Sequence, residues 1–101
     1  ESYVMFLNRA NKALGVSLIS KGGMAETVMD VKIILQTALK VHASGIILSH
    51  NHPSGNLKPS EPDKQITSKI KEACKCLDLV LLDHIILTDE HYYSFTDEGL
   101  I

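Results

Sequence analysis

The length, composition and charge of the chain limit what it can be. Its 101 residues suffice for one domain with one modest hydrophobic core, and 45% of them are hydrophobic, which is typical of a globular protein. The formal net charge of −2 gives no general attraction to nucleic acid or to anionic membranes. No apolar run approaches the length of a membrane span, and no signal peptide is recognisable, so we expect no membrane contact.

Two cysteines, Cys74 and Cys76, fall in a segment with a helical pattern. Residues two apart on a helix point about 200° away from each other, so a disulfide between them is implausible. They also lack partners at the spacing of a zinc finger. We interpret both as ordinary thiols of a reducing, cytoplasmic compartment. Because the chain has no initiator methionine, we expect residues 1–101 to be a single domain taken from a longer protein.

The first half of the chain predicts a hairpin, a helix and a buried strand. Residues 3–7 and 13–20 are apolar and are separated by a polar segment with asparagine near both ends, which is typical of two antiparallel strands. Asp30 is a candidate N-cap for a helix over residues 30–42, where apolar residues recur at helical spacing. The sequence GIILS, residues 45–49, then predicts a short strand buried on both faces.

The second half predicts another helix and two further strands. An apolar stripe indicates a helix over residues 60–77, with lysines on its opposite side. Residues 79–88 are almost continuously apolar and predict a long buried strand, and residues 92–95 predict a short final one. The predicted order is ββαβαββ, and the predicted fold class is α/β, a mixed β-sheet with helices packed on it.

The segment SHNHPSGNLKPSEPD, residues 49–63, carries the residues best suited to chemistry, beyond the end of a buried strand. His50 and His52 project to the same side of an extended backbone, near enough to share one ion. The prolines and glycine can fold the chain back and bring Asp63 to the imidazoles. Two histidines and one carboxylate leave one position of a tetrahedral zinc ion open, which is the arrangement of a catalytic zinc.

Asp63 also has a purely structural interpretation. Ser60 is a candidate N-cap, a proline falls in the first turn, and Asp63 stands at the third helical position, close to the capping-box pattern. Taken alone, Asp63 fits a capping carboxylate better than a metal ligand. The two roles are compatible, because the cap would hold the carboxylate in place.

The same residues resemble a known signature. His50-x-His52, with Ser60-x-x-Asp63 after it, resembles the JAMM signature of the JAB/MPN metalloprotease domains, whose architecture is cytidine-deaminase-like. The chain resembles the RadC branch in particular, through the segments HNHPSGNLKPSEPD, LNRANKALG, SGIILSHNHPSG, LLDHIIL and YYSFTDEG. The resemblance covers essentially the whole chain and corresponds to the C-terminal domain of RadC, without the helix-hairpin-helix-type region found upstream.

The resemblance implies a set of site residues and a reaction. The zinc ligands would be His50, His52 and Asp63. Ser60 would help to stabilise the oxyanion of a tetrahedral intermediate. The family's general base is a glutamate at the entrance to the first strand. Glu1 matches it, Glu26 is the fallback, and a glutamate ahead of residue 1 in the longer protein is the third alternative. The reaction would be hydrolysis of an amide or isopeptide bond, in a peptide or protein substrate, by a zinc-activated water.

Two other functions are alternatives to hydrolysis, and one further histidine is expected to be structural. RadC proteins are usually named for DNA repair, but the mildly acidic chain shows no basic stripe and no DNA-reading element, which argues against DNA contact by this domain. A protein-interaction module that keeps the fold and the metal without hydrolytic activity is the third possibility. His84, in an apolar strand, is expected to be a hydrogen-bonded core histidine rather than a ligand.

Overall fold

Five strands and two helices make up the computed structural model, which describes residues 1–20, 29–52 and 55–101. They are β1 (Ser2–Leu7), β2 (Ala13–Ser20), α1 (Val31–Lys40), β3 (Gly45–Asn51), α2 (Glu61–Cys76), β4 (Val80–Leu87) and β5 (Tyr92–Ser94). This is the predicted order ββαβαββ. The prediction of an α/β fold with a mixed sheet and packed helices is confirmed.

The strands form one sheet in the order β2-β1-β3-β4-β5. β1 pairs antiparallel with β2 and with β3, and β5 pairs antiparallel with β4. β3 and β4 are parallel, and α2 forms the crossover between them. The carboxyl ends of β3 and β4 therefore meet at one end of the sheet, where ligands of α/β proteins usually bind.

The β1–β2 hairpin is closed by its asparagines. The side-chain oxygen of Asn8 accepts hydrogen bonds from the backbone N–H groups of Ala10 and Lys12, at 2.9 and 3.0 Å. Asn11 has φ +60°, a left-handed conformation that asparagine tolerates better than most residues. The predicted hairpin is therefore present, and it leaves β2 at the edge of the sheet.

Both helices contribute to one hydrophobic core on the same face of the sheet. α1 begins at Asp30, whose carboxylate accepts the backbone N–H groups of Lys32 and Ile33. The buried core side chains of the helices and of β1, β3 and β4 are Ile34, Ala38, Ile70, Cys74, Val4, Phe6, Ile46, Leu48 and Leu81. No helix within the described ranges is long and apolar enough to cross a membrane.

β3 differs from its prediction in length and burial. It continues past residue 49 to Asn51, so His50 is a strand residue rather than a loop residue. Ile46, Leu48 and His50 are buried, whereas Ile47 and Ser49 on the other face are partly exposed. The predicted burial on both faces was wrong because both helices pack on the first face.

A bulge in β4 decides which side chains of that strand face the helices. Ile46 pairs with Leu81 but Ile47 pairs with Asp83, so Leu82 is an extra residue in β4. Beyond the bulge His84 is opposite Leu48, on the helix side. Without the extra residue, the alternation of side chains would turn His84 to the other face.

Candidate metal centre

His50 is buried at the end of β3, with 3% of its side chain exposed, and it points into the helix layer. Its Nδ1 lies 2.8 Å from Nε2 of His84, the histidine that the β4 bulge turns to the same face. Its other ring nitrogen, Nε2, faces His52 and Asp63. The strand therefore presents one nitrogen to the core and the other to the candidate site.

His52 directly follows β3 and is held by backbone groups. Its N–H donates to the carbonyl of Leu87 at 3.0 Å, and its ring Nδ1 lies 2.7 Å from the carbonyl oxygen of Asn56. Since a carbonyl oxygen can only accept, Nδ1 carries the proton and donates it. The other ring nitrogen of His52, Nε2, is directed at the candidate site.

Asp63 is held by a capping box at the start of α2. The Ser60 hydroxyl accepts the N–H of Asp63 at 3.1 Å, and the Asp63 carboxylate accepts the N–H of Ser60 at 2.8 Å. The predicted cap is therefore present. It fixes the carboxylate within reach of both imidazoles, so the capping role leaves Asp63 available as a candidate ligand.

These three side chains converge, as the sequence predicts. Asp63 Oδ1 lies 3.2 Å from His50 Nε2, and Asp63 Oδ2 lies 3.2 Å from His52 Nε2. The two Nε2 atoms are 2.9 Å apart. Among the described residues, this is the group of three or more potential ligand side chains close enough together to hold a metal ion.

The charge state of Asp63 suits a cation. Burial alone would raise the pKa of the Asp63 carboxyl, but the neighbouring His50 imidazole and the hydrogen bonds from Ser60 outweigh burial and hold that pKa well below its ordinary value. The carboxylate is therefore ionised across the physiological pH range and offers its oxygens as acceptors.

The donor set fits a metal ion. Nitrogen and oxygen ligands about 2.0–2.1 Å from a tetrahedral metal are separated by about 3.3 Å, close to the 3.2 Å between each imidazole nitrogen and the carboxylate. Nε2 of His52 faces Nε2 of His50 at 2.9 Å, and the Asp63 carboxylate lies beside both. Nitrogens that close repel unless a cation or proton lies between them. The site could therefore bind a metal ion.

Glu1 directly precedes β1 and lies beside Asn51, the residue between the two candidate histidines. The N–H of Asn51, between the two histidines, donates to the Glu1 carbonyl at 3.3 Å. The Glu1 carboxylate accepts a hydrogen bond from the Tyr3 hydroxyl, and this bond raises the pKa of Tyr3. The other glutamate candidate, Glu26, lies outside the described residues.

Two cavities open beside the site. One, of about 280 Å³, is lined by Glu1, Tyr3, Ser49, His50, Asn51 and Leu87. The other, of about 450 Å³, is lined by Asn51, His52, Gly55, Leu87 and residues 88–91. Each contacts one of the two histidines, and both share Asn51 and Leu87. Together they provide space for an extended ligand on both sides of Asn51.

Sequence reasoning missed two residues that contact the candidate ligands. His84 is fully buried and hydrogen-bonded, as expected of a core histidine, but one of its partners is His50. The other is the hydroxyl of Thr67, at 2.6 Å. The available signals were a histidine in an apolar strand and a threonine one helical turn after Asp63.

Burial of His84 affects its protonation. It lowers the pKa of His84 to about 3, and the nearby charge of His50 acts in the same direction. His84 is therefore a neutral imidazole at physiological pH, with one nitrogen that donates and one that accepts.

Comparison with known proteins gives one consistent result. A family model described as the RadC-like JAB domain matches residues 1–100. A protein named UPF0758 from Flavobacterium johnsoniae is 52% identical over 100 residues, covering 99% of this chain and 44% of the relative. A UPF0758 protein from Porphyromonas gingivalis is 44% identical, covering 100% of this chain and 45% of the relative.

A further relative from Streptococcus gordonii, also named UPF0758, is 43% identical over 94 residues, covering 93% of this chain and 42% of its own length. The chain thus spans less than half the length of each of these relatives. The similarity extends over almost the whole of the present chain in all three, including the segment that carries the candidate ligands.

Proposed function

Because the chain belongs to the RadC-like JAB domain family, we propose that it is a zinc-dependent metallohydrolase domain that cleaves a peptide or isopeptide amide bond. The observation that carries the proposal is the convergence of His50, His52 and Asp63. An ionised carboxylate lies 3.2 Å from each of two imidazole nitrogens. Two histidines and one carboxylate leave a coordination position for water, as in catalytic zinc sites.

The residues around the zinc position have separate roles in this proposal. A zinc ion held there supplies Lewis-acid activation of water near neutral pH. The Glu1 carboxylate would accept the proton that the water loses as the water oxygen bonds to the carbonyl carbon. It would then deliver this proton to the leaving amine, so that the C–N bond breaks and a carboxylic acid and an amine are released. The Ser60 hydroxyl donates to the substrate oxygen on which negative charge develops.

The Glu1 assignment is supported by position. Its backbone carbonyl is bonded to Asn51, and its side chain borders the cavity that His50 also lines. To act as a base, the carboxylate must leave the Tyr3 hydroxyl or share its bond. If Glu1 is not the base, Glu26 takes that role in the proposal.

Metal analysis combined with a peptide-cleavage panel tests the proposal on the longer protein. We expect one zinc per chain in the wild type, loss of that zinc in His52→Ala, and retained zinc without turnover in Glu1→Gln. His42→Asn is a matched control, because His42 has φ +55° and asparagine tolerates that conformation. Absence of stoichiometric zinc from the wild type would overturn the proposal.

A protein-interaction module is the second candidate function. It is favoured by the Tyr3–Glu1 hydrogen bond, which occupies the proposed base. Zinc binding without cleavage of any peptide, in the wild type and in Tyr3→Phe alike, would select it. DNA contact by this domain is not proposed, because the chain has a net charge of −2.

We also propose a cytoplasmic location. Both cysteines, Cys74 and Cys76, are free thiols, one buried and one exposed. Unpaired cysteines are the usual state in a reducing compartment.

A further inference from the structure

We infer that Thr67 and His84 are positioning residues that set the tautomer of His50, so that its Nε2 is left unprotonated toward the metal position. The consequence for metal binding rests on the proposed function, whereas the hydrogen bonds that fix the tautomer do not. It concerns a row of four groups: the imidazoles of His50 and His84, the hydroxyl of Thr67 and the backbone carbonyl of Asp63.

The direction of the row is fixed at its Asp63 end. The Thr67 hydroxyl lies 2.7 Å from the carbonyl oxygen of Asp63, which can only accept, so Thr67 donates its single proton there. Thr67 Oγ1 also lies 2.6 Å from His84 Nδ1. Because the hydroxyl proton is already used, the proton of this second bond must come from His84 Nδ1.

The direction of the next bond follows from the burial of His84. A fully buried imidazole carries a single proton, so His84 protonated on Nδ1 has an unprotonated Nε2, which accepts. That nitrogen lies 2.8 Å from His50 Nδ1, so His50 donates its Nδ1 proton. The remaining nitrogen of His50, Nε2, is the atom 3.2 Å from Asp63 Oδ1. A backbone carbonyl of α2 thus determines, through two side chains, which nitrogen of His50 faces the site.

The row is enclosed and rigid. His84 is 0%, Thr67 2% and His50 3% exposed, so water does not compete for these bonds. The ring of Phe95 stacks on His84 with the centroids 4.6 Å apart and an interplanar angle of 14°. The imidazole is therefore held on its face by Phe95 and on its edge by Thr67 and His50, and the Phe95 N–H donates to the backbone carbonyl of His84 at 3.0 Å.

The row also links two of the candidate ligands. It begins on the His50 imidazole and ends on the carbonyl of Asp63, whose carboxylate is 3.2 Å from the same imidazole. Partners of this kind orient metal-binding histidines, and their loss typically costs about 10- to 100-fold in metal affinity. We therefore expect metal affinity to depend on a threonine hydroxyl that is not itself a ligand.

Two measurements test the inference. Long-range ¹H–¹⁵N NMR on metal-free protein reports which ring nitrogens of His50 and His84 are protonated, and competition with a chelator reports the Kd for zinc. The variants are Thr67→Val, which keeps the shape without the hydroxyl, and Thr67→Ser, which restores it. Thr37→Val is a matched control, because the Thr37 hydroxyl bonds the Ile33 carbonyl at 2.9 Å in α1, one turn back, as Thr67 does in α2.

We expect wild-type His50 and His84 both to be protonated on Nδ1. In Thr67→Val, His84 should lose its single tautomer and the Kd for zinc should rise about 10- to 100-fold. Thr67→Ser and Thr37→Val should match the wild type. A wild-type His84 protonated on Nε2, or a Thr67→Val protein with unchanged tautomers and Kd, would overturn the inference.

The outcomes separate this inference from the proposed function. Wild-type protein with the expected tautomers but no zinc binding supports the inference and removes the metallohydrolase proposal. Wild-type protein that binds zinc but has His84 protonated on Nε2 overturns the inference and leaves the metallohydrolase proposal standing. The tautomer measurement on the wild type needs no variant, so it stands even if Thr67→Val does not fold.

Discussion

At the residue scale, each converging side chain is held by a contact that ends on the main chain. Asn56 provides a carbonyl to His52, and Ser60 provides an N–H to the Asp63 carboxylate. His50 is held through His84 and Thr67 to the carbonyl of Asp63. Since main-chain groups move less than side chains, the site is pre-organised before a metal arrives.

The buried His84 predicts how stability depends on pH in the metal-free protein. Its pKa is about 3 in the folded protein and about 6.5 ordinarily, so between these values the unfolded chain binds a proton that the folded chain does not. The stability from neutral His84 is complete above pH 6.5 and is lost as the pH falls toward 3. We expect a loss on the order of a few kcal/mol in the free energy of unfolding.

Urea unfolding of chelator-treated protein at pH 7.5 and pH 4.5 measures this loss. His84→Gln removes the titrating group and should show a smaller pH dependence than the wild type, although it is less stable at pH 7.5. His91→Gln is the control, because His91 is exposed in the turn before β5. Equal pH dependence in the wild type and His84→Gln would contradict the prediction.

At the element scale, the bulge in β4 is the feature that makes the site possible. It places Leu81 and His84, three residues apart, on the same face of the sheet. The first parallel pair, Gly45 with Val80, leaves little room for a Cβ, because one at Gly45 would lie 2.8 Å from Cδ1 of Leu82, the bulged residue. The bulge and the glycine therefore belong to one packing arrangement.

We predict that Gly45→Ala destabilises the fold by about 1–3 kcal/mol through this overpacking. The contact is with the end of a flexible, half-buried side chain, so shortening that chain should relieve it. The double variant Gly45→Ala with Leu82→Ala should be less destabilised than the sum of the single variants in urea unfolding. Simple additivity would show that the 2.8 Å approach has no energetic effect.

At the scale of the whole molecule, the site connects distant parts of the chain. Its groups come from β3, the start of α2 and β4, which pack through one core. Metal bound only by the folded state must therefore stabilise the entire fold. This coupling between metal binding and folding distinguishes zinc held by these residues from zinc bound loosely on the surface.

We predict that zinc raises the free energy of unfolding by about 2.7 kcal/mol when free zinc is 100 times the Kd. Thermal unfolding with and without zinc measures the accompanying rise in Tm. The rise should vanish in His52→Ala and persist in His42→Asn. A similar rise in His52→Ala would show that zinc stabilises the chain from another position.

Much of this arrangement follows from the sequence. Alternating and helical hydrophobic patterns predict the order of elements, and the spacing of His50, His52 and Asp63 predicts their convergence, because both depend on local geometry. The bulge at Leu82 is not predictable, since an apolar run such as LLDHIIL does not reveal its register against β3. For the same reason the role of Thr67 is hidden, because its partner His84 is 17 residues away on another element.

The edge position of β2 has a consequence for the behaviour of the protein in solution. Its sequence ALGVSLIS contains no charge and no proline, and Leu14, Val16 and Leu18 are 45%, 57% and 47% exposed. Within residues 1–20, 29–52 and 55–101, β2 pairs with β1 alone, so its other side offers backbone groups and an apolar surface to a second chain. The opposite edge, β5, is only three residues long. Self-association of this domain at high concentration is therefore expected to begin at β2, and a lysine in place of Val16 is the change best suited to prevent it.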